Sequence, residues 1–180
     1  SFSASFSSSK KVTDRDHDVY VINTGLHFTG NKTRLGEELD DLLPRMKELA
    51  DKGKTVIWRE TTTQHFNSTT GSWRSYVPRD THCITLDTEA NRGQKEYHRD
   101  FVLEKFKENG IALKMYDFES TSFSNSPDDP QFVYYLPFMD ISDDRADLHM
   151  ANYDCTHYCY TPTFWEPLWY AIAECIKDHL

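Results

Sequence analysis

The stretch Asp18-Val19-Tyr20-Val21-Ile22-Asn23-Thr24-Gly25 decides how this chain folds. Four apolar residues in succession, without polar alternation, read as a short strand of a parallel sheet, buried on both faces. Asn23-Thr24-Gly25 ends the run and opens its carboxyl end into a loop. Downstream, Leu35 to Lys52 sets Leu35, Leu39, Leu42, Leu43, Met46, Leu49 and Ala50 at helical spacing, and Gly53 supplies the stop. Pro44 lacks an N–H and crowds the carbonyl four residues back, which predicts a kink or a break into two shorter helices. Lys54 to Arg59, with Thr55-Val56-Ile57-Trp58, is the second strand. Strand, helix, strand is a βαβ unit, so the expected fold class is α/β with a parallel sheet. Ligands in such sheets bind outside the carboxyl ends of the strands.

The same reading carries through the remainder. Glu60 to Thr88 is rich in Thr, Ser, Gly and Pro and forms a loop long enough to suspect function. A helix is expected over Glu89 to Asn109, through Tyr97, Phe101, Val102 and Phe106, with Gly110 ending it. Ile111 to Tyr116 gives the third strand, Asp117 to Gln131 a second loop, and Phe132 to Ile141 a further apolar run. Trp165 to Ile176 closes the chain as a helix with an aromatic face. A length of 180 residues suits one domain, residues 18–180, preceded by 1–17 as a linker or truncated N-terminal segment. The start at Ser1 and the Ser-rich opening lead us to expect a piece of a longer precursor.

A formal charge of −9, from 20 basic and 29 acidic residues, repels phosphate backbones and leads us to expect no nucleic-acid partner. No apolar run approaches the roughly 18 residues of a membrane span. Cys83, Cys155, Cys159 and Cys175 suit two disulfides, with three possible connectivities. Cys155 and Cys159 would hold zinc only if Cys83, Cys175 or a histidine completed the set. Asn31-Lys32-Thr33 and Asn67-Ser68-Thr69 are glycosylation sequons. Cysteines and sequons together point to the secretory pathway.

The chemistry concentrates near the end, in Asp154-Cys155-Thr156-His157-Tyr158-Cys159. A carboxylate three residues before a histidine suits an acceptor for imidazole Nδ1, leaving Nε2 to take a proton from an alcohol. The plain structural alternative is a turn capped by Asp154. Asn23 and Gly25, at the first strand's end, are suitable donors to a developing oxyanion. Arg59 offers a planar fork to a substrate or a carboxylate. His65 reads as a structural hydrogen-bonding residue. Trp58, Trp73 and Trp165 are candidate stacking surfaces for sugar rings. A metal hydrolase built on His27, His65, His82 and His157 is disfavoured, because tight ligand spacing is lacking.

Four segments in order carry a resemblance to a known family. These are Asn23-Thr24-Gly25-Leu26-His27, Arg59 through His65-Phe66, Asp140-Ile141-Ser142 with Arg145 and His149, and Asp154-Cys155-Thr156-His157 with Trp165-Glu166-Pro167-Leu168. Together they resemble the PC-esterase family, the GDSL/SGNH-like acyl-esterases that include plant trichome-birefringence-like polysaccharide O-acetyltransferases. The resemblance implies an SGNH-hydrolase-like parallel sheet with helices on both faces and a Ser-His-Asp triad. His157 would be its base and Asp154 its orienter, with Asn23, Gly25 and Arg59 at the oxyanion and substrate site. The family's Gly-Asp-Ser block occurs nowhere in this chain. The first strand would therefore be absent and this chain alone inactive, with an upstream part of the same polypeptide supplying the nucleophile strand. The implied activity is acyl-ester transfer or hydrolysis on polysaccharide or glycan hydroxyls, in the Golgi lumen or outside the cell. No cofactor is expected, and the acetyl donor is unknown. The alternative is a non-catalytic glycan-binding relative.

Overall fold

Val19–Ile22 forms the first strand, β1, and turns Tyr20 and Ile22 into the core. The computed structural model describes residues 17–28, 30–73, 82–123, 131–151 and 154–180. Residues 1–16 of the expected linker, and parts of the two long loops, lie outside the described residues. After β1 come a short 3₁₀ turn (Leu26–Phe28), helix α1 (Lys32–Asp51) and strand β2 (Thr55–Arg59). Val19 stands opposite Thr55 and Ile22 opposite Trp58 in a parallel pair, as expected of the βαβ unit.

Helix α2 (Thr88–Lys95), a π-helical turn (Glu96–Asp100) and helix α3 (Phe101–Glu108) occupy the second predicted helix. Strands β3 (Ala112–Asp117), β4 (Ser122–Phe123) and β5 (Phe132–Leu136) follow. They complete a five-stranded sheet of order β1-β2-β5-β3-β4, parallel except for the antiparallel β4. A single turn of helix, α4 (Met139–Ser142), leads to an antiparallel ribbon of β6 (His149–Ala151) and β7 (Asp154–Tyr158). The chain ends in helix α5 (Pro162–His179).

Helices cover both faces. Tyr20, Ile22, Val56, Trp58, Val133 and Tyr135 meet the apolar stripe of α1 and the buried Val102 and Phe106 of α3. Ile57, Tyr134 and Leu136 face the other way, onto Phe164, Leu168, Ala171 and Ile172 of α5. Alternation along β2 and β5 thus fills two cores from one strand, which explains their unbroken apolar runs. The end strand β1 departs from this, since Val21 on its second face is 37% exposed.

Pro44 does not divide α1, which runs unbroken for 20 residues. Pro44 itself is exposed, while Leu39, Leu42, Leu43 and Met46 around it are buried. At roughly 1.5–3 kcal/mol for each buried aliphatic side chain, that stripe outweighs a proline cost of about 3 kcal/mol. Asn31 caps the helix, its Oδ1 accepting from Arg34 N–H at 3.1 Å.

Candidate active site

The Asp154 and His157 pair sits on strand β7. β7 turns Cys155 and Tyr158 inward and leaves His157 exposed. Cys155 ties the strand twice to the segment beyond β2. Cys155 is disulfide-bonded to Cys83, and its carbonyl accepts from His65 N–H at 3.0 Å. Asp154 both caps and pairs. Its Oδ1 accepts from the N–H groups of Thr156 (3.2 Å) and His157 (3.1 Å), and its carboxylate meets His157 Nδ1 at 2.9 and 3.0 Å. Burial pushes the Asp154 carboxyl upward, but the hydrogen bonds from His157 and Thr156 win and hold it below the ordinary range. An ionised acceptor at Nδ1 fixes the imidazole tautomer with Nε2 unprotonated, the state a general base requires.

His157 lines a cleft of about 1320 Å³ together with Leu26 and His27 beyond β1, Phe66 and Trp73 beyond β2, and Tyr97 and His98 of the π turn. The cleft therefore lies at the carboxyl side of β1 and β2, where open α/β sheets place their ligands.

The segment Glu60 to Phe66, which leads from β2 into the cleft, is entirely buried without being helix or strand. Such backbone is tolerated only when its polar groups find partners. Glu60 N–H goes to Leu136 O, Thr63 N–H to Ser142 Oγ, Gln64 N–H to Gln94 Oε1, His65 N–H to Cys155 O and Phe66 N–H to Gly71 O, all at 2.9–3.0 Å. Gln94 Nε2 answers to Gln64 O at 2.8 Å, and Gln64 Nε2 donates to Thr156 Oγ1 at 2.7 Å. The cleft floor is thus a hydrogen-bonded web between α2, the β2 exit and β7.

The residues expected at the oxyanion site behave differently. Both Asn23 amide hydrogens are engaged within the fold, Nδ2 donating to Arg59 O at 2.8 Å and to Thr61 Oγ1 at 3.0 Å. Gly25 is buried with φ +136°, and a Cβ there would lie 3.1 Å from His98 Nδ1. Arg59 is half-buried and donates to Glu60 O at 2.9 Å, and desolvation draws its guanidinium down to about 10. None of Asn23, Gly25 and Arg59 lines the cleft, although Leu26 and His27 beside Gly25 do.

The expected pair of disulfides is corrected to one, Cys83–Cys155. Cys159 and Cys175 are free thiols. Cys175 lies on the buried face of α5, where burial pushes its thiol up to about 12, and Cys159 directs its Sγ to His149 O at 3.6 Å. Of the sequon residues, Asn67 is exposed and Asn31 is the half-buried cap of α1. Among the described residues, no group of three or more His, Cys, Asp or Glu side chains is placed to hold a metal ion.

His65 is wholly buried in a hydrogen-bonded network. Its Nε2 donates to Asp143 O at 2.7 Å, and its Nδ1 lies 2.8 Å from His149 Nε2. That last separation needs a proton between the rings, which neutral His149 supplies from Nε2, so its Nδ1, 3.2 Å from His157 O, has no hydrogen to donate to that carbonyl. The network supports β7 from behind. Of the tryptophans, Trp58 is core and Trp165 donates to Cys159 O at 2.9 Å, so Trp73 alone of the three stands on the cleft.

The sequence reading passed over three features. Glu60, fully buried, receives Arg99 Nε and Nη2 at 2.5 and 2.8 Å, Tyr135 OH at 3.0 Å and Met139 N–H at 2.9 Å. Arg99 also reaches Asp140, an exposed ion-pair partner in the helical turn α4. The second is the Gln64 and Gln94 pair. The third is His98. A charged residue ending the apolar β2 run was the only available signal for Glu60. Gln94 and His98 lay inside a helical pattern and carried none.

In comparisons with family models, with curated proteins and with solved structures, the chain matches none.

Proposed function

We propose that this domain carries the acid–base pair of an SGNH-type, PC-esterase-like serine-ester enzyme that transfers or hydrolyses acyl groups on polysaccharide or glycan hydroxyls. One observation carries the reading. Asp154 holds His157 Nδ1 at 2.9 Å, and the histidine faces a large cleft at the carboxyl side of a parallel sheet. No serine or threonine hydroxyl hydrogen-bonds His157 among the described residues, and no Gly-Asp-Ser occurs in the sequence. The reading therefore draws its nucleophile from another part of the polypeptide, as a strand beside β1, the end strand of the sheet. His157 Nε2 would take the serine proton as the serine attacks the acyl carbon, then return it to the departing alcohol. The disulfide supports placement in an oxidising compartment, the Golgi lumen or outside the cell.

The test is acetyl-ester turnover by the full-length polypeptide containing this chain. His157→Ala and Asp154→Asn are each expected to lower kcat by about 10⁴-fold, the His change by removing the base and the Asp change by releasing the tautomer. Turnover that survives both changes sinks the triad. Trp73, about half exposed on the cleft beside Phe66, supports a second reading as a glycan-binding module without catalysis. That reading takes first place if sugars bind and no ester is turned over.

A further inference from the structure

His98 belongs to none of the groups that build the acid–base pair, yet it lines the same cleft. A π turn, a local form that often marks functional sites, carries it into the wall. It is 7% exposed, and its Nδ1 is buried without a hydrogen-bond partner. Gly25 is what allows this approach, since a Cβ at that position would meet Nδ1 at 3.1 Å. No carboxylate compensates, and burial alone pulls its pKa down to about 4, so the ring is neutral at physiological pH.

A neutral imidazole carries one hydrogen, and the two nitrogens differ. Leaving a buried N–H orphaned is rarer than leaving a buried acceptor under-satisfied. The walled-in Nδ1 is therefore the lone-pair atom, and the hydrogen sits on Nε2. Nε2 has no partner among the described residues and is not sealed off, while the ring lines the cleft. We infer that His98 is a substrate-binding residue that donates an Nε2–H hydrogen bond to an acceptor oxygen of the molecule occupying the cleft. This rests on the acyl-ester reading for the identity of that oxygen, the carbonyl of an acyl-sugar. A neutral donor suits it, because it polarises a carbonyl without trapping an anion.

The test is long-range ¹H–¹⁵N NMR of the full-length polypeptide containing this chain. Methyl 3-O-acetyl-glucopyranoside and unacetylated methyl glucopyranoside are the probes, and His98→Phe and His98→Gln are the variants. His98 is expected as a single neutral tautomer protonated at Nε2 from pH 5 to pH 8. The acetylated probe should shift the Nε2–H resonance. His98→Phe should weaken that probe roughly tenfold, whereas His98→Gln, which restores an N–H at similar reach, should recover part of the loss. If one variant fails to fold, the tautomer and the wild-type titration still decide. An Nδ1–H tautomer overturns the inference. So does probe binding that leaves Nε2–H unmoved, or failure of both sugars to bind. A shifted Nε2–H in a protein whose full-length form turns over no ester keeps the His98 assignment and removes the acyl-ester reading instead.

Discussion

Replacing Cys83 and Cys155 together by alanine tests how the candidate site is held. The bridge closes 72 residues of chain, from the loop beyond β2 to β7. In the chain-entropy description, releasing a loop of that size returns about 4 kcal/mol of freedom to the unfolded state. Alanine suits the buried Cys155 because serine would add an unpaired hydroxyl. Urea unfolding of the oxidised wild type, the reduced wild type and the double variant is the assay. The last two should coincide and lie about 4 kcal/mol below the first, with melting lowered by roughly 8–16 °C for a domain of this size. Thiol titration of the denatured wild type should find two free thiols, Cys159 and Cys175, and peptide mapping should find Cys83 joined to Cys155. A loss under about 1 kcal/mol would refute the reasoning, as would four protected cysteines. The first result would mean that β7 is positioned by the His65 and Gln64 hydrogen bonds rather than by the bridge, and the second that Cys159 and Cys175 are bridged as well.

Glu60→Gln leaves Arg99 facing a neutral amide in a fully buried site and should cost about 3 kcal/mol in urea unfolding, and an unchanged midpoint would show the ion pair to be idle. Gly25→Ala meets both a positive φ and the 3.1 Å contact with His98, so it should destabilise by about 2–3 kcal/mol in thermal unfolding. Gly30→Ala, where φ is +74° but no atom lies within 4 Å, should cost only about 1 kcal/mol, and equal losses would sink the contact argument. Acid should weaken the fold well before carboxylates protonate. His98 and His149 titrate near 4 when folded, both mainly because burial disfavours the charged ring, and near 6.5 when unfolded. The unfolded chain therefore binds protons first as pH falls below 6.5. Their contribution is intact above that pH and is lost progressively down to about pH 4, roughly 2 kcal/mol per histidine by pH 5. Stability that stays flat between pH 7 and pH 5 contradicts this, and His98→Phe should remove the His98 share of the loss, about 2 kcal/mol by pH 5, leaving the shares of His149 and of His65, whose ring burial also holds below its ordinary range.

The sequence by itself determined the βαβ core, because the evidence for it is local. The apolar run at Val19–Ile22, the Leu stripe of α1 and the run at Thr55–Arg59 each state their own period. The contact between Asp154 and His157 was legible for the same reason, since an aspartate can cap the N–H groups two and three residues on, as Asp154 does with Thr156 and His157, and that local turn brings the two side chains within reach. Pairing over distance was not legible. Which cysteine bonds Cys83, that Asn23 spends its amide on the β2 exit, and that Arg99 belongs to Glu60 all depend on which segments the sheet order brings together. Nor did periodicity reveal His98, because a π turn inserts one extra residue into a helical pattern that still counts correctly on either side. Only the tertiary structure set its ring against Gly25 and closed off one of its nitrogens, since burial is a property of neighbours that the chain meets only after folding.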